Sequence, residues 1–588
     1  MKRIMILIGR WALPFLITLS FALFIISSVD RIISQEASNY LQAIMQTATD
    51  GMANYGPQLY LNFTLKILLV WAAVRIYVAS FGLRWDHLWI RAMMRGHTVI
   101  VCFWSDGVSS EKSSNQSDIE LAIDFASSSP DCKSVVLVTN SIGDDQRQRL
   151  WNKGVKVLVF NKDLSNLVRA AAIQRASTLI ATCEKTDEDI AVCRISLSEE
   201  TDNKGLQCKC KISTLSEKRR FKVDDYFEES MLPRVRIFNN SELLARRLFN
   251  SFPPDRRVAP SAERVHLLLI GLGSIGQAVL ERMARMGHYR SGLLPKLTIV
   301  DRQVAEKWQR LETELPALKR WVEWELIELE VGDVGEQTLN DWMSADEPFT
   351  GAYICLKNEI VNLRISRLLV NSQFNAHESN EGRQFDVVAL DPPGGLVLSE
   401  FFQRGRHSGL FHKFSLTTVD DESKRSVLSE GLSADIDDSK ARALHNSYFE
   451  QDLQRARENP DYKIGPNSKP WEQLPENIRD ANRMVTDHFD IKMRAIGCEV
   501  IRTDSDSETE LDESEIELLA KMEHRRWWAD RDFNGWFFGA TRDDVRKIHP
   551  NMVPYSDLSE PDKQKDRDSV QNMVQILKDD GFLITRKN

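Results

Sequence analysis

The spacing of apolar residues changes twice along this 588-residue chain. Near the start it is unbroken. Trp11 to Val29 carries no charge over roughly 19 residues, enough to cross a bilayer core as a helix. Leu59 to Leu83, containing "ILLVWAAVRIYVASFGL", forms a second run of spanning length. Beyond about residue 96 the apolar runs shorten to strand length: "HTVIVCFWSDG", "KSVVLVTN", "VKVLVF", "STLIATC" and "LQCKCKIST". Between them lie stretches of helical spacing such as "DDQRQRLWNKG" and "DLSNLVRAAAIQRA". Strands alternating with helices predict a parallel sheet covered on both faces. The pattern restarts at "LLLIGLGSIGQAVL" and continues through "KLTIVD", "GAYICLKNE" and "FDVVALDPPGG". A polar, acidic stretch of helical character follows, and then an aromatic-rich C-terminal segment.

The expected class is therefore α/β: two transmembrane helices, two tandem Rossmann-like parallel-sheet units and a helical C-terminal module. The boundaries read as 1–95 for the membrane region, 96–258 and 259–412 for the two sheet units, 413–510 for an acidic helical linker, and 511–588 for the last module.

Charge orients the membrane end. Lys2, Arg3 and Arg10 precede the first span, and Arg84, Arg91 and Arg95 follow the second, so both flanks belong in the cytoplasm. Arg75 falls near the middle of the second span, where it must face protein or water. The loop from Tyr40 to Tyr60, with Asp50 beside Gly51, has the layout of a re-entrant pore loop or of an ordinary external loop. The potassium-filter sequence TVGYG is absent from it.

The net charge of −9, without a clustered basic face, argues against nucleic acid as a partner. Eight scattered cysteines fit reduced cytosolic thiols. Cys208 and Cys210 face one side of a strand, but a metal site would need two more ligands, so no metal is expected.

The candidate chemistry lies in the second sheet unit. Gly271, Gly273 and Gly276 fit G-x-G-x-x-G between a strand and a helix, and the next strand ends in Asp301. Gly271 allows the tight turn, Gly273 admits a pyrophosphate, Gly276 permits close helix packing, and Asp301 can accept from ribose hydroxyls. Ser274 and Ile275 open the helix and complete the set. In the first unit Phe103, Trp104, Ser105 and Asp106 stand where the glycines should be, and Thr139 and Asn140 replace the ribose carboxylate, so that copy is structural or binds something else.

The order and spacing of the first unit, including "NKDLSNLVRAAAIQRASTLIATCEKTDEDIAVC", resemble the RCK or TrkA-N domain that sits below two-helix channels. That resemblance implies paired domains, a homo-oligomer of two or four chains, and transmission of ligand state to membrane helices. The ligand it implies is NAD(H) or another adenine nucleotide, held for regulation.

The segment from about Leu518 to Phe582 resembles the RyR domain, the repeat first recognised in ryanodine receptors and also found in bacterial proteins. His524, Gly535-Trp536, Gly539, Arg542-Asp543-Asp544, His549-Pro550, Val553-Pro554-Tyr555 and Lys565-Asp566-Arg567 carry the likeness. It implies a ligand-sensing or protein-interaction role, with Trp536, Arg542, Asp543, His549 and Tyr555 as candidates, and no catalytic set.

The sequence thus reads as a bacterial inner-membrane protein with cytoplasmic C-terminal domains, its partners a lipid bilayer, further copies of itself and a nucleotide-like molecule. The leading expectation is a nucleotide-responsive regulator or ligand-gated ion conduit. A non-conducting membrane-tethered sensor or scaffold in a stress or antiviral response is the alternative. An NAD-dependent oxidoreductase ranks third, because no second domain offers an acid or base beside a nicotinamide.

Overall fold

Runs of valine, isoleucine and leucine become strands buried on both faces, as a helix-covered parallel sheet demands. The computed structural model describes residues 90, 92–103, 121–122, 135–160, 164–198, 201–258, 263–343, 347–378, 384–390, 410–414, 438–459, 461–465, 467–502, 510–579 and 582–586, all within the unit Leu83–Asn588. Among these residues no helix is long and apolar enough to cross a membrane. Both runs read as spans, together with Asp50 and Arg75, lie outside the described residues.

The first sheet contains β1 (Thr98–Cys102), β2 (Val135–Thr139), β3 (Lys156–Val159), β4 (Thr178–Ala181), β5 (Gln207–Lys211) and β6 (Val235–Phe238) in the order β3-β2-β1-β4-β5-β6. Every pairing is parallel. The second contains β7 (His266–Ile270), β8 (Lys296–Asp301), β9 (Glu323–Glu328), β10 (Gly351–Ile354), β11 (Asp386–Leu390) and β12 (Phe411–Phe414), ordered β12-β11-β10-β7-β8-β9 and again parallel throughout. Counted from its own first strand, each sheet has the order 3-2-1-4-5-6 of dinucleotide-binding folds. The expected pair of Rossmann-like sheets is present.

Three strands of the two sheets, β6, β9 and β12, escaped the pattern reading. In β9 exposed Glu323, Glu325 and Glu328 are interspersed with half-buried Trp324, Leu326 and Ile327, which suits a sheet edge that must resist pairing with another chain. The others, β6 and β12, are only four residues long, and β6 holds Arg236.

Helix α1 (Asn240–Ser251) follows β6, starting where the Asn239 side chain accepts from the Ser241 amide. Although it leaves the first sheet, its Leu244, Leu248 and Phe249 join the core of the second. Helix α2 (Ser274–Met286) follows the glycine turn. Farther on come α3 (Ser439–Glu458), α4 (Glu476–Ala495), α5 (Glu513–Phe533) and α6 (Glu560–Asp579). Asp512 and Glu515 start α5 by capping each other's amides. A two-stranded antiparallel sheet joins β13 (Cys498–Arg502) to β16 (Phe582–Arg586), and β14 (Phe537–Phe538) lies beside β15 (Ile548–His549).

The C-terminal region is not a bead on a string. Phe489, Ile491 and Met493 of α4, Leu519 and Met522 of α5, and Val570 and Met573 of α6 lie in one continuous apolar core with Leu267, Leu269 and Val279 of the second sheet unit. Helix α4, inside the stretch read as a linker, also buries Lys492, whose Nζ donates to Glu523 Oε2 of α5 at 2.7 Å. Cutting the chain near Asp512 would strip that core and strand Lys492, so the last module cannot be removed without disturbing the packing of the rest.

Candidate functional site

At the C-terminal end of the second sheet, β7 and β10 lie side by side while their following helices leave in opposite directions, which creates the crevice where such sheets bind ligands. The glycine turn forms one wall. Gly271 has φ +98°, and a Cβ there would meet Leu356 Cδ2 at 2.8 Å and the Cys355 carbonyl at 3.1 Å. A Cβ on Gly276 would lie 2.0 Å from the Gly271 carbonyl oxygen, so turn and helix touch backbone to backbone. Packing therefore accounts for both glycines. Gly273 differs: its φ of −78° suits any residue, and a Cβ there would meet nothing within 4 Å.

Gly273 is also the N-cap of α2, and no side chain caps the helix there. Exposed Ser274 and half-buried Ile275 lie in its first turn. The neighbouring helix, Glu359–Glu378, is closed instead by its own residue: Asn358 Oδ1 accepts from the amides of Ile360 and Val361 at 3.0 and 3.2 Å. Unsatisfied amides and the helix dipole make an uncapped N-terminus favourable for an anion.

Asp301 ends β8 beside the turn. Its Oδ2 accepts from the Leu272 amide at 2.8 Å, and its Oδ1 from the Gln303 amide at 3.0 Å and Lys307 Nζ at 2.6 Å. Burial pushes this carboxyl up, but Lys307 and the two amides outweigh burial and hold it below the usual range. Asp301 thus braces the turn, and a ribose hydroxyl would have to share an occupied carboxylate. Beneath the turn a small cleft is lined by Leu244, Leu248, Ile275, Tyr353, Cys355 and Leu390. It is apolar, and burial drives the Cys355 thiol up to about 12.

The equivalent place in the first unit is filled differently. Phe103 is buried, and Thr139 Oγ1 donates to the Ser141 carbonyl at 2.9 Å. Trp104, Ser105 and Asp106 lie outside the described residues. Cys208 and Cys210 are buried in that unit's core.

The C-terminal candidates divide into two groups. Tyr555 is buried, its hydroxyl on Glu517 at 3.2 Å, and Asp543 accepts from the amides of Val545 and Arg546, so both shape the fold. Trp536 and His549 meet at a 6.2 Å ring separation, and Trp527, which was not among the site candidates read from the sequence, lies 4.9 Å from His549. Arg531 completes the cluster: its guanidinium sits 4.9 Å from the Trp536 ring and 5.8 Å from Trp527, while its Nε is buried without a hydrogen-bond partner among the described residues. Burial, then Arg542 and Arg531, lower His549 to about 4, so it is neutral at pH 7. Arg542 itself pairs with Asp544 at 2.7 Å in solvent. Beside this cluster Phe537 and Phe538 stay 54% and 58% exposed. Arg531 was legible only as one more charge at the end of a helix.

The geometry defines a tandem Rossmann-like protein with an open helix N-terminus at the second switch point and an aromatic, cationic cluster in its helical C-terminal region. Within that region, residues 508–586 match the family model of the RyR domain. The match begins after α4 and β13, both of which pack against it.

Proposed function

We propose that this chain is a membrane-anchored, nucleotide-responsive regulator or ligand-gated ion conduit of the RCK type, in which an adenine nucleotide or NAD(H) binds at the second glycine turn. The carrying observation is Gly273. Neither backbone conformation nor packing requires glycine there, and the space beside it opens onto the uncapped amides of α2. A pyrophosphate or phosphate fills such a space, and Gly273, Ser274, Ile275 and Gly276 would hold it. Lys307 and the braced Asp301 lie at the ribose end. An apolar Cys355 and Leu356 beside the turn favour a ligand that is sensed over one that is reduced, because hydride chemistry needs a placed acid or base. The membrane runs near the N-terminus tether the sensor, and the RyR region contributes a second site, with Arg531, Trp527, Trp536 and His549 suited to an anionic, planar partner.

The test is calorimetry of ADP, ATP and NADH on the detergent-solubilised full chain, with ion flux through liposomes measured in parallel. Binding that Gly273→Val abolishes without lowering the melting temperature supports the reading, and flux that responds to the nucleotide extends it to a conduit. Binding without flux supports a tethered sensor. If none of the three nucleotides binds, or if Gly273→Val binds as well as the parent, the glycine turn is a packing element and the nucleotide reading falls.

A further inference from the structure

Helix α2 begins at the glycine turn and ends about 20 Å away, at 1.5 Å per residue. Its second half carries three charged residues that reach three other parts of the molecule. Glu281 Oε2 accepts from Arg219 Nε of the first sheet unit at 3.1 Å, and Arg219 also holds Glu314 at 2.7 Å. Arg282 Nη2 donates at 2.9 Å to Asp487 of α4, a carboxylate shared with Arg246 of α1. Arg285 donates to Glu281 at 3.1 Å, reaches Asp530 of the RyR region at 3.4 Å, and covers the Phe533 ring at 4.5 Å. Glu281 is thus shared by two arginines and Arg285 by two carboxylates.

Two features make this more than a set of staples. Buried ion pairs stabilise little relative to apolar packing, and these are largely out of water: Arg219 is 7% exposed and Glu281 12%. Each shared partner, however, lets a small shift of α2 redistribute contacts without leaving a charge alone. The Arg285–Asp530 link is the longest of the set, so it is the one a shift would make or break. At the other end there is no slack, because Gly276 lies against the Gly271 carbonyl and the turn must move with the helix.

We infer that α2 is a transmission element: occupancy of the glycine turn is communicated to the RyR region by axial displacement of α2, with Arg285–Asp530 as the adjustable link. This rests on the nucleotide reading for its ligand but not for its mechanical content. In this scheme the Asp530 tie holds α2 in its unoccupied position, so weakening it favours the occupied one. Coupling between two sites of one protein is typically ~1 to 3 kcal/mol, equivalent to about 5- to 150-fold in affinity.

Asp530→Asn keeps the shape and removes the charge. In the full chain we expect it to raise affinity for ADP or NADH, whichever binds, by about five-fold. Hydrogen exchange without ligand supplies the second readout. The variant should speed exchange at the amides of Ser274, Ile275 and Gly276 as well as around Phe533, and Asp530→Glu should restore the parent pattern in part. Unchanged or lower nucleotide affinity overturns the inference, and so does faster exchange confined to the last turn of α2 and the end of α5. If neither nucleotide binds the parent chain, the nucleotide reading fails by itself, and the exchange pattern alone decides whether α2 transmits.

Discussion

The indole Nε1 of Trp321 donates to Asp532 Oδ2 at 2.8 Å, joining the second sheet unit to the last turn of α5. Arg320 Nε reaches the same oxygen at 2.6 Å, and Trp528 meets Trp321 edge to face at 5.5 Å. Asp532 is only 4% exposed, and these two donors supply its hydrogen bonds. Asp532→Ala should leave Trp321 with an unpaired buried N–H and cost about 3 kcal/mol. Urea unfolding followed by fluorescence and by far-UV circular dichroism checks this. Because the two regions share a core, both signals should move together in parent and variant, and separate transitions would refute the shared unit.

The three glycines of the turn should separate cleanly. Gly276→Ala drives a methyl into the Gly271 carbonyl and should cost about 3 kcal/mol or more. Gly271→Ala adds strain at a positive φ to a clash with Leu356 and should also destabilise the fold. Gly273→Ala meets open space and should stay within about 0.5 kcal/mol of the parent. Thermal melts of the three variants give the ranking, and a Gly273→Ala loss as large as that of Gly276→Ala would remove the case for an open site.

Acid should weaken the fold well before the carboxylates titrate. His288 and His488 are fully buried beside one another, and burial lowers both well below the ordinary value, assisted for His288 by Arg525 and Arg526 and for His488 by Lys492. Below about pH 6.5 the unfolded chain takes up protons that the folded chain refuses, so stability falls by about 1.4 kcal/mol per pH unit for each histidine. Asp487 works in a lower window. Burial raises it, but Arg246 and Arg282 hold it at about 2, so its contribution is present above about pH 4 and lost between there and pH 2. Urea midpoints should hold nearly level from pH 7.5 to about 6.5 and fall steadily from there to pH 5, and His488→Asn should flatten the fall. A flat profile in the parent would show that neither histidine is buried in the neutral form.

The thiols should be silent. Cys102, Cys183, Cys193, Cys208, Cys210, Cys355 and Cys498 are all buried and unbridged. Burial raises Cys183, Cys355 and Cys498, a hydrogen bond with Cys208 raises Cys193, and one with Cys193 raises Cys210. A thiol is a nucleophile only as its thiolate. Iodoacetamide at pH 8 should therefore leave these seven unlabelled in peptide mass spectra until the chain is unfolded, and rapid native labelling of any of them would contradict its burial.

Both sheets were legible because parallel strands buried on two faces must be written as unbroken apolar runs, and "VVLVT" and "LLLI" leave no competing reading. Strand β9 was hidden because an edge strand advertises charge. The glycine turn was legible as a motif, but sequence could not distinguish Gly273 from its neighbours, since only the atoms around each missing Cβ reveal which glycine packing demands. Asp301 ends β8 as the strand pattern placed it, while its occupied contacts, from the Leu272 and Gln303 amides and from Lys307 on the next helix, appear only in the structure. Least legible were the joints. Arg219, Glu281, Arg285 and Asp530 look like ordinary surface charges in sequence, and they are drawn out of solvent only because the helix carrying Arg219 and the end of α5, both distant in the chain, meet on α2.

The placement of α1 has a consequence for how the molecule is made. The ribosome delivers β6 and α1 before any strand of the second sheet, so the first unit can complete its own six strands while Leu244, Leu248 and Phe249 still lack the surface they later cover. N-terminal units generally fold first during synthesis, and exposed apolar helices at that stage invite association with the wrong partner. Nascent chains stalled shortly after Val258 should therefore carry α1 as a sticky flag for chaperones, and chains stalled beyond β11 should lose it.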